Sequence, residues 1–306
     1  MSHKPLLGFN LALLATATWG GLPIAAQKAI SVIDAQTLVW FRFIVAAAGL
    51  ILILGFAKKL PKLTAFTPKI LLLIILGVIG LSLYFFGSSY ALHFISPTTS
   101  QVLWQLSPFT MMLCSVVIFK EQFAVHQKIG LVLLLVGLVA FFNDRLGEIL
   151  QLNAYAIGVL IGAISSMVWV AYGIAQKLLS ANFNSQQILL MIYIGCGLVM
   201  TPFSSPTQLN EMNGWVLGCF IFCCLNTLIA YGAYAEALNH WQASKVSVVT
   251  VLIPIFTMLF SHLAHWLYPD VFEPLEMNLL SYIGAIIVIF GAMYSIIGQK
   301  LIKKNK

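Results

Sequence analysis

Charge is what this sequence has least of. Only 8% of its 306 residues are charged and 60% are hydrophobic, whereas a soluble domain carries roughly a quarter charged residues. That composition excludes an ordinary water-soluble fold and points to a chain embedded in lipid. All nine Asp and Glu residues fall in loops or in the last turn of a candidate helix. A proton relay built on a mid-membrane carboxylate is therefore not expected; Glu236, His262 and His265 come nearest, toward opposite ends. The five cysteines (Cys114, Cys196, Cys219, Cys223, Cys224) are odd in number and lie inside apolar runs with no ligand at metal spacing. They read as small apolar fillers, and neither a metal nor a cofactor is expected. HExxH, GxSxG and paired intramembrane carboxylates are all missing. An enzyme, such as a lipid head-group transferase, is thus disfavoured. The net charge of +7 is spread thinly between apolar runs, so no basic face for nucleic acid forms.

What is present is a succession of long apolar runs. A span needs about 20 apolar residues to cross about 30 Å of hydrocarbon. By that rule ten helices are expected, at 6–26, 36–57, 69–91, 98–119, 126–142, 155–177, 186–203, 214–237, 245–267 and 279–298. The first run is longer than the core of a secretory signal and has no small-residue cleavage site behind it, so it reads as a retained span. With the N-terminus placed in the cytoplasm, thirteen Lys residues fall on the inner side, against Lys28 and Arg145 outside. The positive-inside rule then expects both termini to be cytoplasmic.

The chain also repeats itself. Gln101, Trp104, Pro108, Met111 and Ser115 recur at steps of three and four on one helix face. Displaced by 146 residues, Ser247, Thr250, Pro254, Thr257 and Ser261 occupy the same positions. Ala26-Gln27-Lys28 is echoed by Ala175-Gln176-Lys177, Ala91-Leu92 by Ala237-Leu238, and Gly130…Gly137 by Gly284…Gly291. Two repeats, 1–148 and 149–306, are expected. Five helices per repeat is odd, so the second copy enters from the opposite side: an all-α, ten-helix membrane fold of two inverted repeats around a central cavity.

A helix in lipid keeps a polar stripe only where that stripe faces protein or water. The cavity is therefore expected to be lined by Gln101, Trp104 and Gln105, together with Ser247 and Thr250; the amides alternatively bond a neighbouring helix. The sixth helix carries Ser165, Trp169, Tyr172 and Gln176 in register, and the eighth Thr227, Tyr231 and Tyr234 beside Asn226. Trp19 and Tyr84 are the matching bulky residues on the first and third. From these helices Trp19, Tyr84, Trp169, Tyr172, Asn226 and Tyr231 are added as cavity candidates, with interfacial anchoring the alternative for the aromatics. Pro108 and Pro254 each release a backbone carbonyl and serve as a hinge, as helix geometry, or as both. Arg42, the single charged side chain well inside a span, is expected in a structural or gating role, with a substrate carboxylate as the alternative partner.

Several of these residues resemble those of the EamA-like family of the drug/metabolite transporter superfamily. In the first half they are Ala17-Thr18-Trp19-Gly20 with Lys28, Phe41-Arg42-Phe43, Tyr90-Ala91-Leu92, Leu106-Ser107-Pro108, Phe119-Lys120-Glu121 and Gly130 to Gly137. The second half resembles the family through Trp169, Tyr172-Gly173, Lys177, Ala237-Leu238, Pro254 and Gly284 to Gly291. The resemblance implies an inner-membrane carrier of a bacterium, exporting amino acids, metabolites or drugs by alternating access. One departure stands out: Glu121 has Leu267 at the equivalent position, so the resemblance does not imply symmetric gating. The expected partners are a small polar or zwitterionic solute and the bilayer, with monomer and homodimer both open. A permease for uptake and a sensory or assembly subunit without transport remain the rival readings.

Overall fold

Lipid offers a peptide group no water to bond, so the chain must close its own hydrogen bonds, and helices do so within one segment. The computed structural model describes residues 4–62, 66–120 and 124–304; Glu121, the unmatched acid, lies outside them. Among the described residues the secondary structure is helical, with no strand. The first three spans are α1 (Pro5–Ala29), α2 (Ala35–Phe56) and α3 (Pro68–Ala91). The fourth is split into α4 (Pro97–Trp104) and α5 (Leu106–Phe119). After α6 (Val125–Phe141) a short surface helix, α7 (Leu146–Leu150), leads into α8 (Ala154–Leu179) and α9 (Ser185–Met200). The eighth span is α10 (Gly214–His240); the ninth is split into α11 (Ala243–Thr250) and α12 (Ile253–Leu267); α13 (Leu279–Lys304) is the tenth.

Helix starts are marked locally. Asp34, Thr67, Ser96, Asn153 and Asn184 each accept the amide of the residue three places on. These side chains satisfy N-terminal donors that have no intrahelical acceptor. Pro5, Pro68 and Pro97 stand at first-turn positions, where the missing N–H costs nothing. Among the described residues nine segments are long and apolar enough to span, and α6 is shorter at 17 residues, or about 25 Å.

The spans that carry Pro108 and Pro254, the fourth and the ninth, are both present, and each contains a break. The breaks fall at Gln105 and at Val251-Leu252, 146 residues apart. The cause lies three residues further on. Pro108 and Pro254 have no N–H for the carbonyls of Trp104 and Thr250, and each ring crowds that carbonyl. The backbone tightens to i−3 bonds there, with the amides of Gln105 on Val102 O, Leu252 on Val249 O and Ile255 on Leu252 O.

The most extensive helix pairs recur under exchange of the halves. α1 lies on α10 as α8 lies on α3, and α1 on α12 as α8 lies on α5. α2 meets α10 as α9 meets α3, while α2–α9 and α6–α13 pair across the pseudo-two-fold. Glycine decides the last of these pairs. A Cβ on Gly137 would stand 2.7 Å from Val288 N, and one on Gly291 would stand 2.8 Å from Gly130 O. The α6 and α13 backbones thus touch directly, as small residues allow in membranes.

Gly137→Ala or Gly291→Ala is expected to force the two helices apart, at a cost of about 1–3 kcal/mol. Thermal unfolding in detergent should show a lowered Tm. Gly218→Ala, where a Cβ meets nothing within 4 Å, should leave Tm unchanged or raise it.

Candidate functional site

The helices enclose a central cavity of about 530 Å³. α1 contributes Trp19, α2 Arg42 and α3 Tyr84; from the broken fourth span come Gln101, Trp104 and Pro108. The second half adds Trp169 and Tyr172 from α8, Tyr231 and Tyr234 from α10, and Ser247 and Thr250 from α11. Tyr84, Trp104, Trp169 and Tyr172 form one continuous aromatic run, with successive ring centroids 5.0, 4.9 and 5.6 Å apart. Trp19 faces them in contact with Tyr231 at 5.2 Å and Tyr234 at 5.5 Å. Edge-to-face and tilted contacts of this kind hold large rings rigidly at low entropic cost.

Arg42 is the one formally charged residue on the described wall. Its Nε donates to Thr227 Oγ1 at 3.1 Å, and its guanidinium carbon lies 4.3 Å from the Phe85 ring centroid. Beyond Arg42 the space narrows to about 40 Å³, lined in part by Pro23, Ala26, Ser88 and Ser100. Leu92 lines both this neck and a surface recess of about 450 Å³ that holds Lys28, His93 and Glu273. In the other direction the cavity wall runs out to Gln176, Ser185 and Leu238, beside the loop at 180–184. That end carries Lys59, whose carbonyl accepts from Gln187 Nε2 at 2.8 Å. The cavity thus leads toward the lysine-bearing face and is constricted toward the other.

Two candidates lie elsewhere. Gln105 is 1% exposed, and its Nε2 donates to Val251 O at 3.3 Å, across the pseudo-two-fold. Asn226 is buried, with Nδ2 donating to Thr18 O at 2.9 Å. Both amides tie helices together, the alternative weighed for intramembrane amides. Pro254 is buried within α12 and is not part of the wall, whereas Pro108 is. Thr257 likewise bonds Gly20 O at 2.8 Å instead of facing the cavity. Phe85, Leu22, Ser185 and Leu189 line the cavity without having been singled out. They are apolar or lie at a helix start, so no polar stripe announced them; Tyr234 and Gln176 did sit on the stripes.

Family comparison decides the class of the molecule. The EamA-like transporter family matches residues 6–143 and again 156–297. This chain belongs to that family. An uncharacterized transporter of Haemophilus influenzae is 51% identical over 302 residues, covering 99% of this chain and 98% of that one. The uncharacterized inner membrane transporter YhbE of Escherichia coli K12 is 43% identical over 303 residues, covering 98% and 94%. The pseudopaline exporter CntI of Pseudomonas aeruginosa is 24% identical over 254 residues, covering 81% and 84%. A solved crystal structure superposes with a TM-score of 0.63 at 18% identity, covering 97% of this chain and 98% of its own, which supports the fold alone. The chain is accordingly a multi-pass membrane transporter with the ten-helix EamA-like fold.

Gln101 and Gln105 separate by experiment. Gln105→Leu leaves Val251 O buried without a donor and should destabilise the transporter by about 1–3 kcal/mol, read as a lowered Tm in detergent. Gln101→Leu, on the wall and with no hydrogen bond to another described residue, should leave Tm within a degree or two while weakening solute binding.

Proposed function

We propose that this transporter is a secondary carrier of the bacterial inner membrane, exporting a small polar or zwitterionic metabolite, an amino acid or a similar solute or drug, by alternating access. Residues 1–148 and 149–306 are the two repeats that move against each other, and both termini are cytoplasmic. One observation carries the reading: an aromatic-walled cavity leads to the lysine-bearing face and is constricted beyond Arg42. By the positive-inside rule that face is cytoplasmic, so the accessible state is the one that loads from inside. The relative named as a pseudopaline exporter supports the outward direction.

Trp19, Tyr84, Gln101, Trp104, Trp169, Tyr172, Tyr231, Ser247 and Thr250 are the proposed substrate contacts, with the break beside Pro108 as a hinge. A volume of about 530 Å³ fits a small organic solute with its hydration partly removed. Among the described residues no Asp, Glu or His lines the wall. Glu236 instead contacts His240 at 2.9 Å, His262 contacts the Tyr282 hydroxyl at 2.7 Å, and His265 contacts Phe272 O at 2.8 Å. Transport down the solute gradient, or by exchange, therefore fits better than a carboxylate proton relay. Uptake by the same fold is the second reading, because alternating access is reversible and gradients set its direction.

The test begins with metabolite profiles of cells with and without the gene, followed by efflux from proteoliposomes loaded with the solute that differs. Accumulation inside the deletion strain and efflux at least tenfold slower in Trp104→Ala are expected. Depletion inside the deletion strain would establish uptake, and liposomes that move no solute would establish a non-transporting subunit. Efflux should also persist when the proton gradient is collapsed. Obligatory proton counterflow through Glu236, His262 or His265 would overturn the coupling argument.

A further inference from the structure

Among the described residues Arg42 has no carboxylate partner in the membrane. The side chain is 4% exposed. Its only hydrogen bond to a described residue is from Nε to Thr227 Oγ1, and that hydroxyl in turn donates to Cys223 O at 3.3 Å. The described ion pairs, Arg145–Glu148 and His240–Glu236, lie in other parts of the molecule. Phe85 covers one face of the guanidinium. The two Nη groups carry four N–H donors, and none bonds a described residue. The same side chain forms part of the cavity wall and of the neck beyond it. An intramembrane cation left in this way is expensive unless a ligand or water completes it.

We infer that Arg42 is the anchor for a carboxylate on the transported solute, a reading that rests on the carrier function proposed above. The Nη fork donates to both carboxylate oxygens side by side, while the Nε bond to Thr227 and the stack on Phe85 hold the guanidinium plane still. The remainder of the solute lies against Trp19, Trp104, Trp169 and Tyr231, which offer flat apolar faces. Charge balance narrows the class further. The described wall carries one positive charge and no negative one, so a monoanionic group neutralises it, whereas a phosphate dianion leaves an excess charge in low dielectric. An ammonium group finds aromatic faces there but no carboxylate. The solute class is thus a small organic monocarboxylate with an apolar or aromatic body, and an α-amino group is tolerated without being required.

The test uses the full chain purified in detergent, with tryptophan fluorescence as the readout. The probes are 3-phenylpropanoate, its neutral amide 3-phenylpropanamide, and phenyl phosphate. Saturable quenching by the carboxylate alone is expected in the wild type, a comparison that needs no variant. Half-saturation should rise at least tenfold in Arg42→Gln and recover in part in Arg42→Lys, which keeps the charge and loses the fork. Equal binding of the amide, preference for the phosphate, absence of saturable binding, or an unchanged affinity in a folded Arg42→Gln would each overturn the assignment. Efflux from proteoliposomes loaded with cell extract separates the two claims. Flux that Arg42→Gln leaves intact removes the carboxylate anchor and keeps the carrier, whereas a wild type that moves no solute removes the carrier itself.

Discussion

A backbone carbonyl released inside a bilayer must find a donor within the protein. Pro108 and Pro254 each interrupt a spanning helix, and each interruption frees peptide groups in a place where water is scarce. Ile255 N turns to Leu252 O, which leaves Val251 O without its helical partner. The Gln105 side chain, itself at the break of the other repeat, supplies the missing donor. Each half therefore has a weak point near the middle of the membrane, and the two weak points are joined. That bond gives one carbonyl freed at the breaks a donor from within the protein.

The cavity follows from the same arrangement. Beside the breaks, Trp104 and Pro108, and with them Ser247 and Thr250, face the interior. Rigid aromatic contacts then set the wall, and small residues bring the outer helices close enough to brace it. The α6–α13 pair shows this most plainly, because its two backbones meet where Gly130 and Gly291 omit a side chain. On a wall of rings and hydroxyls one guanidinium is the single described charge, so solvation and shape govern what enters, and Arg42 sets the sign of the charge that is welcome.

Much of this was legible in the chain itself. Ten apolar runs, the doubled motif set and the lysine asymmetry describe a ten-helix membrane protein, and the stripe positions Gln101, Trp104, Ser247 and Thr250 do face the cavity. Gln105 shows where legibility ends. It sits four residues after Gln101, a spacing that shares a face in an unbroken helix. Gln105 nevertheless turns its amide to the Val251 carbonyl of the other half while Gln101 stays on the wall, and the two amides part company. Asn226 fails for a related reason: a polar residue beside a stripe faces either cavity or neighbouring helix, and only the position of the Thr18 carbonyl chooses between them. Phe85 and Leu189 gave no signal, because an apolar side chain facing a cavity looks the same in sequence as one facing lipid.

By itself the sequence determined the class, the number of spans and the doubled plan, since hydropathy, length and periodicity are local properties that lipid reads directly. Only the tertiary structure decided which amides bond helices and which meet solute, where the helices break, and which end of the cavity is narrow. Those outcomes depend on the direction of one helix face relative to another and on whether a freed carbonyl finds a donor 146 residues away, and no local pattern encodes either.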